Sequence, residues 1–275
     1  MITEVFEERF AMIYKAVREK HPEITVIGTV GPFYEGTDYT EGWRLATELG
    51  VPMVDEHYYV DPGWMIHNQD YYDRYDRTKS KVYLGEYAAH LPGRPNNVET
   101  ALAEALYLTA VERNADVVTM TSYAPLLAKE GHTQWNPDLI YFNNEEVKPT
   151  VGYYTQQMYG RNAGTHYLPS GVTLSNTQDA VKKRIGVSVV KDEAKGDYIV
   201  KLVNMLPVEV NSKVNLQGIS LVNPTATRTL LTGNPKDKGA RPATSAFEVG
   251  KDGFSYTLPG YSFTVIRIHE ASDAK

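Results

Sequence analysis

The chain has 275 residues, of which 42% are hydrophobic and 23% are charged, a composition that excludes a disordered or fibrous protein and suits one large domain or two ordinary ones. The formal net charge of −6 argues against nucleic acid as a partner, and the lack of any apolar run near ~20 residues argues against a membrane span. Because the chain has no Cys, disulfides, thiolate metal sites and cysteine nucleophiles are excluded together, whereas the cellular compartment stays open.

The first part of the chain alternates between helical and strand patterns. Apolar residues at spacings of three and four predict an amphipathic helix over Glu4–Lys20, and the apolar run Ile24–Val30 predicts a buried strand. The later elements predicted in this part are a helix over Trp43–Leu49, a strand over Val51–Tyr59, a helix over Asn68–Thr78, a strand over Val82–Tyr87, a helix over Val98–Arg113, a strand over Val117–Tyr123 and a helix over Thr150–Tyr159. Strands separated by helices indicate βα units around a parallel sheet.

Beyond Gly164 the pattern changes to short alternating stretches separated by turn residues. All three Trp and 16 of the 20 Tyr precede this change. The predicted strands are Lys183–Val190, Tyr198–Asn204, Val208–Leu216, Thr227–Leu231, Phe254–Leu258 and Phe263–His269, with a polar loop over Asn234–Pro242. We therefore predict two domains, with residues 1–163 forming an α/β domain and residues 164–275 an antiparallel β-sandwich.

Four βα units are too few to close an eight-stranded barrel. The first helix also precedes its strand, so the chain begins in the middle of an alternation. The α/β domain is therefore either a small open sheet or the second half of a (β/α)8 barrel.

Glu86 is the strongest candidate for a reacting group, because it follows an apolar strand at the end where the βα loops of parallel architectures surround the active site. Gly85 before it would let a ligand approach closely. A carboxylate in this position can attack an anomeric carbon or stabilise an oxocarbenium ion. The alternative is a strand-end Glu in a solvated salt bridge.

A second cluster closes the preceding strand. The pleat places His57 and Tyr59 on one face and Tyr58 on the other, so that the Tyr59 hydroxyl could donate to a carboxylate. His57 could be a metal ligand or a general base, but no metal-ligand spacing surrounds it, so hydrogen bonding to substrate or to a carboxylate is the favoured interpretation. Asp55 and Glu56 point to opposite faces, and at most one accompanies this cluster; the other is predicted to be a barrel-exterior or loop charge.

Aromatic loop residues suit the apolar faces of sugar rings. Trp64 and Trp135 are equally compatible with sugar contact and with packing. For Tyr71, Tyr72 and Tyr75, packing of a helix onto the sheet is the favoured interpretation.

Four motifs in this order resemble the C-terminal part of the α-L-arabinofuranosidases of glycoside hydrolase family 51. The motifs are DEHYY at 55–59, GEYA at 85–88, SYAPLL at 122–127 and QWNPDLIYF at 134–142. The resemblance runs from about Phe6 to Gly164 and is weaker through the β region.

This resemblance implies a retaining hydrolase built as a partial (β/α)8 TIM barrel, here its last four βα units, followed by a β-sandwich. Glu86 matches the family's nucleophile, while His57 and Tyr59 match residues that orient it and line the sugar subsite. Trp64 and Gln134 are further candidates for substrate binding, and His90 stands where some members carry an aromatic residue.

The resemblance departs from the family at one point. The family's acid/base glutamate lies in a Gly-Asn-Glu motif, which these 275 residues do not contain. A retaining mechanism needs two carboxyl groups roughly 5 to 5.5 Å apart. The chain is therefore expected to be the C-terminal portion of an arabinofuranosidase-like enzyme and to be nearly inactive alone.

Three alternatives stay open. The chain could belong to an endo-β-glucanase or another barrel glycosidase, or it could be a non-catalytic carbohydrate-binding fragment. The half barrel could also be completed by a second copy or by a separate N-terminal half. The expected partner is an arabinose-containing polysaccharide or oligosaccharide, and carboxylate chemistry implies neither a cofactor nor a metal.

Overall fold

The computed structural model describes residues 2–219 and 221–269. The chain divides into two compact units that interleave along the sequence. The first unit contains the residues up to Val60 together with Asp70–Ala88 and Asn114–Pro125, and the second contains Asp61–Gln69, Ala89–Arg113 and the residues from Leu126 onward. The predicted boundary between residues 163 and 164 does not follow this division, and it stays a prediction.

The described residues form helices and strands in the following order along the chain. The helices are α1 (Glu4–Lys20), α2 (Thr37–Leu49), α3 (Pro62–His67), α4 (Val98–Arg113), α5 (Val151–Gly160) and α6 (Asp179–Lys182). The strands are β1 (Ile27–Thr29), β2 (Met53–Val60), β3 (Lys81–Ala89), β4 (Val118–Tyr123), β5 (Leu127–Lys129), β6 (Ile140–Phe142), β7 (Val147–Pro149), β8 (His166–Tyr167), β9 (Ile185–Asp192), β10 (Asp197–Asn204), β11 (Val210–Asn215), β12 (Thr225–Thr232), β13 (Ala243–Phe247), β14 (Gly253–Leu258) and β15 (Ser262–His269). None of the helices in the described part of the chain is long and apolar enough to cross a membrane.

The first unit is built on a four-stranded sheet with the order β1-β2-β3-β4. The pairs β1–β2 and β3–β4 are parallel. A hydrogen bond from Lys81 N to Pro52 O joins β2 and β3 where both begin. The ends of β2 and β3 therefore lie at the same edge, where the loops of a parallel sheet converge. The four strands predicted for this sheet are confirmed, although β1 is shorter than expected.

The helix predicted over Asn68–Thr78 is wrong. The helix in this region is α3, which begins earlier because Asp61 caps it by accepting from Trp64 N at 3.0 Å and Pro62 occupies its first position. Residues 69–79 form turns instead. The Arg77 guanidinium donates to the backbone carbonyls of Tyr72, Asp73 and Tyr75 at 2.7–3.0 Å and so replaces the bonds of a helix.

The second unit contains the antiparallel strands predicted for the C-terminal region. Six strands form a sheet in the order β13-β12-β15-β10-β9-β8, and β11 pairs with β14 in a second sheet. Apolar side chains from both sheets form one core, which comprises Val200, Leu202, Leu216, Leu221, Phe254, Tyr256, Leu258, Ile266 and Ile268. Burial of this apolar surface is the main stabilising term of the two sheets.

Helix α4 is the central element of the second unit. Of its 16 residues, 13 are buried, so it is covered on all sides rather than on one face. Within this unit it contacts α3, α5, β9 and β10. Strands β5, β6 and β7 form a small separate sheet that the sequence patterns did not predict, because each has only three residues.

Candidate active site

The pleat of β2 sorts its side chains into two sets. Asp55, His57 and Tyr59 are partly exposed, whereas Glu56 and Tyr58 on the opposite face are 1% and 0% exposed. Alternation of side chains along a strand predicts this arrangement. The partly exposed set faces Glu86, which lies near the end of β3.

Both aromatic residues expected beside Glu86 contact one oxygen of its carboxylate. The Tyr59 hydroxyl donates to Glu86 Oε2 at 2.6 Å, and His57 Nδ1 lies 3.6 Å from the same atom. Among the described residues none donates a hydrogen bond to Oε1, and the Glu86 side chain is 41% exposed. One oxygen is therefore held by the protein while the other is available to a ligand.

Tyr59 acts as a donor because its hydroxyl keeps its proton. Burial raises the pKa of Tyr59 well above its ordinary value of 10, and the bond to Glu86 raises it further. A neutral hydroxyl stabilises a neighbouring carboxylate without adding charge.

Asp55 is the residue of this cluster that the sequence did not single out. Its Oδ2 lies 2.8 Å from His57 Nε2, so the imidazole is placed between two carboxylates. The hydrogen bond to Asp55 raises the pKa of His57 despite partial burial, and the charges of Asp55 and Glu86 act in the same direction. The available signal was the spacing of two residues, which puts Asp55 on the His57 face of the strand.

Gly85 makes room for Asp55 rather than for a ligand. A Cβ atom at position 85 would collide with Asp55 Oδ1. The structure therefore corrects the interpretation that this glycine lets a ligand approach. The backbone before Glu86 is packed against the carboxylate that contacts His57.

Glu56 lies on the opposite face of β2 and is 1% exposed, so it is not a loop charge, whereas its placement on a barrel exterior stays a prediction. It accepts hydrogen bonds from Trp43 Nε1 at 3.2 Å, from the Tyr72 hydroxyl at 2.9 Å and from the Tyr75 hydroxyl at 2.7 Å. Burial raises the pKa of Glu56 to about 7, although the three hydrogen bonds oppose the shift. Tyr72 and Tyr75 thus pack on the sheet, as predicted, but they do so from turns rather than from a helix.

A surface cavity of about 620 Å³ opens beside this buried carboxyl, between Trp43 and Tyr75. Glu86, His57 and Tyr59 do not line it. The Arg44 guanidinium in its wall is already bound by three carboxylates, those of Glu7, Glu41 and Glu48. The cavity therefore does not belong to the Glu86 cluster.

The remaining candidates for substrate contact lie in the second unit. The Trp64 ring packs against the ring of Tyr107, with centroids 5.7 Å apart. Gln134 is exposed and precedes Trp135, a residue that is 46% exposed and whose ring centroid lies 5.6 Å from the Arg94 guanidinium carbon. Gln134 and Trp135 are therefore exposed to solvent, and Trp64 is partly exposed.

His90 is also in the second unit, where burial lowers its pKa. In the described part of the chain no three His, Asp or Glu side chains are grouped so that they could hold a metal ion. The structure brings Asp55, His57, Tyr59 and Glu86 together on β2 and β3.

Two family models match the chain and together cover most of it. Residues 68–262 match the α-L-arabinofuranosidase C-terminal domain, and residues 1–77 match the α-L-arabinofuranosidase 1 domain. The Glu86 cluster is divided between the two matches. Glu86 lies in the range of the first model, and Asp55, His57 and Tyr59 lie in the range of the second.

Curated relatives carry the same enzyme name. An extracellular exo-α-L-arabinofuranosidase of Streptomyces chartreusis is 44% identical over 168 residues, which cover 61% of this chain and 20% of that protein. A probable α-L-arabinofuranosidase A of Aspergillus terreus is 29% identical over 283 residues, which cover 96% of this chain and 40% of that protein. The chain thus spans less than half the length of these relatives.

A solved structure has the same fold. The arabinose-bound MgGH51 α-L-arabinofuranosidase superposes with a TM-score of 0.81 at 26% identity. The match covers 97% of this chain and 43% of that protein.

Proposed function

Because residues 68–262 match its model, this chain belongs to the α-L-arabinofuranosidase C-terminal domain family, and we propose that it is the part of a retaining α-L-arabinofuranosidase that carries the nucleophile. The observation that carries the proposal is that the two oxygens of the Glu86 carboxylate differ in their hydrogen bonding. Its Oε2 accepts from Tyr59 and faces His57, while Oε1 receives no hydrogen bond from the described residues. Glu86 is the proposed nucleophile, and Oε1 is its attacking atom.

The proposed architecture follows the same reasoning. The four-stranded parallel sheet corresponds to the last four βα units of a (β/α)8 barrel, and the antiparallel sheets correspond to a β-sandwich beginning near residue 164. The sequential strand order β1-β2-β3-β4 and the shared core of the two antiparallel sheets support this assignment.

The proposed reaction has two steps. Glu86 Oε1 attacks the anomeric carbon of an arabinofuranosyl group, the glycosidic C–O bond breaks, and the departing oxygen takes a proton from a general acid. Water then attacks the anomeric carbon of the ester, loses its proton to the same group acting as base, and releases arabinose and the Glu86 carboxylate. Tyr59 and His57 hold Oε2 throughout both steps.

A second carboxyl group is required for the proton transfers. In the family resemblance it is the glutamate of a Gly-Asn-Glu motif, and that motif does not occur in residues 1–275. We propose that this group comes from polypeptide outside these residues, either from an N-terminal half or from another chain. The 275-residue chain alone should then turn over substrate negligibly.

The proposed substrate is a terminal α-L-arabinofuranosyl group of arabinan or arabinoxylan. The names of the relatives support the sugar, and the exposed Gln134 and partly buried Trp64 are proposed to contact the substrate. The rival barrel glycosidases differ in the sugar that they release. Assay of arabinofuranosides, xylosides and glucosides side by side separates them from the proposed activity.

The decisive experiment compares the chain alone with the chain joined to the N-terminal part of the Streptomyces relative, using 4-nitrophenyl α-L-arabinofuranoside. Release is expected only from the joined protein, and Glu86→Gln should abolish it, whereas Glu35→Gln at an exposed site should not. Mass spectrometry of the acid-quenched reaction should find an arabinosyl ester on the peptide containing Glu86. Rapid release by the chain alone contradicts the missing acid/base, and normal turnover by Glu86→Gln contradicts the nucleophile.

A further inference from the structure

We propose that Asp55 is a positioning residue that keeps His57 doubly protonated between two carboxylates, so that Glu86 Oε2 always faces a cation. This inference deepens the proposed function, because it assumes that Glu86 is the nucleophile. It assigns to Asp55 a role that acts through His57, with no contact between Asp55 and the substrate.

Each nitrogen of the His57 imidazole faces a carboxylate. Nε2 lies 2.8 Å from Asp55 Oδ2, and Nδ1 lies 3.6 Å from Glu86 Oε2. A neutral imidazole carries one N–H and one lone pair, so either tautomer would turn a lone pair toward a carboxylate. The imidazolium avoids this repulsion, because both of its nitrogens carry protons.

The Asp55 carboxylate has His57 as its side-chain hydrogen-bond partner in the described part of the chain. Its Oδ1 is buried and has no hydrogen-bond partner among the described residues. A carboxylate that has lost water on one side depends on its remaining partner, and here that partner is His57. The charge of Asp55 is therefore directed at the imidazole rather than shared with other donors.

Gly85 gives independent support. A side chain at this position would displace the Asp55 carboxylate, so the absence of a Cβ is what permits the Asp55–His57 contact. Gly85 immediately precedes Glu86. The same short segment thus carries the proposed nucleophile and makes room for the residue that charges its neighbour.

The charged groups that face His57 are few in the described part of the chain. Asp55 faces it from its own strand, and Glu86 faces it from β3. The nearby Tyr59 hydroxyl is neutral. Asp55 makes the shorter contact with the ring, so its removal should change the protonation of His57 more than any other single substitution that leaves Glu86 in place.

A cation beside Oε2 has a consequence for the reaction. The carboxylate charge disappears when the ester forms and returns when the ester is hydrolysed, so a cation beside Oε2 stabilises the departing carboxylate in the second step. Loss of this charge should therefore lower kcat rather than weaken substrate binding, because Asp55 does not reach the sugar in this scheme.

The test uses the 275-residue chain and needs no activity. Nitrogen-15 NMR of the histidine rings follows the titration of each imidazole, and His57→Gln identifies the signal of His57. In Asp55→Asn the midpoint of the His57 titration should fall by about one pH unit or more, as expected when a neighbouring carboxylate is removed. Asp70→Asn, at an exposed site in the same unit, should leave it unchanged.

The result decides the inference in either direction. An unchanged His57 midpoint in folded Asp55→Asn overturns it, and if that variant does not fold, the same measurement on Asp55→Ser decides. In the joined enzyme, Asp55→Asn should lower kcat roughly 10- to 100-fold with little change in KM. This loss is smaller than that for removing a group that contacts the reacting atoms directly, because Asp55 acts through His57. Failure of the joined enzyme to release arabinose would refute the proposed function, whereas the NMR result alone judges the role of Asp55.

Discussion

The hydroxyl of Tyr59 and the Glu86 carboxylate form a 2.6 Å hydrogen bond across two neighbouring strands, with Tyr59 as the donor. The two residues are 27 positions apart in sequence, and the sheet brings them together because both follow the apolar part of their strands. This bond selects Oε2 as the oxygen held by the protein. It leaves the other oxygen for the proposed attack.

Tyr59→Phe should lower kcat of the joined enzyme roughly 10- to 100-fold, because it removes one donor to a carboxylate whose charge changes during the reaction. The measurement is steady-state release of 4-nitrophenol from the arabinofuranoside. Tyr83→Phe is a matched control on β3, where the hydroxyl bonds to Ser122 at 2.7 Å. Equal losses in the two variants would mean that the Tyr59 hydroxyl has only a structural role.

Gly85→Ala should destabilise the first unit and remove the Asp55–His57 contact, because the new Cβ collides with Asp55 Oδ1. The expected loss is about 1–3 kcal/mol of unfolding free energy, as for overpacking of a core. Urea denaturation measures it, with Gly171→Ala as the control, since no atom lies within 4 Å of a Cβ added there. A Gly85→Ala variant as stable as the wild type would contradict the close packing of Asp55.

Glu56 should make stability depend on pH. Burial raises the pKa of Glu56 to about 7 from its ordinary value of 4.5, so between these values the folded protein binds more protons at this site than the unfolded chain. The stabilisation is present in full below about pH 4.5, and it is lost as the pH rises through 7. The contribution is on the order of 3 kcal/mol by linkage.

Glu56→Gln should remove this contribution, because the amide does not titrate in that range. Its NH₂ group can donate to the Tyr72 hydroxyl, which can in turn donate to Tyr58, 2.8 Å away. Urea unfolding at pH 5 and pH 8 should show a smaller difference in Glu56→Gln than in the wild type or in Glu35→Gln. If all three proteins lose the same stability between these pH values, Glu56 does not titrate as inferred.

Lys201 should be far more sensitive to substitution than a surface lysine. It is fully buried on β10, and its ammonium lies 2.5 Å from Glu112 Oε1. Lys201→Met would leave the Glu112 carboxylate without its cation and should cost about 3–5 kcal/mol. Lys195→Met should cost no more than about 1 kcal/mol, because the Lys195 side chain is exposed and lies 3.8 Å from Asp192, which also pairs with Arg267.

A double substitution checks the cause of that loss. Lys201→Met combined with Glu112→Gln removes both charges and should restore much of the stability, because the cost arises from an uncompensated buried charge. Ser188 can still bond to the amide, since its hydroxyl already contacts Glu112 at 2.6 Å. A double variant no more stable than Lys201→Met would attribute the loss to packing.

The spacing of apolar residues along the chain was sufficient to predict the longest helices. The bounds of α1 and α4 agree with the predicted helices, because their apolar residues recur with helical spacing or fill a buried helix. It failed over Asn68–Thr78, where aromatic and charged residues mimic a helical pattern. There one side chain, Arg77, binds carbonyls that helix formation would otherwise satisfy, and no local pattern indicates this.

The sequence by itself determined which strands carry the candidate reacting groups. It placed an acidic residue near the end of β3, and a histidine and a tyrosine two positions apart on β2. Local alternation carries that information, because it depends only on neighbouring residues. Only the tertiary structure decided that the Asp55 carboxylate reaches His57, that Gly85 makes room for it, and that Glu56 is buried among tyrosine hydroxyls. These outcomes depend on which side of the sheet is covered and on distances between strands, and both arise from packing between segments far apart in the chain.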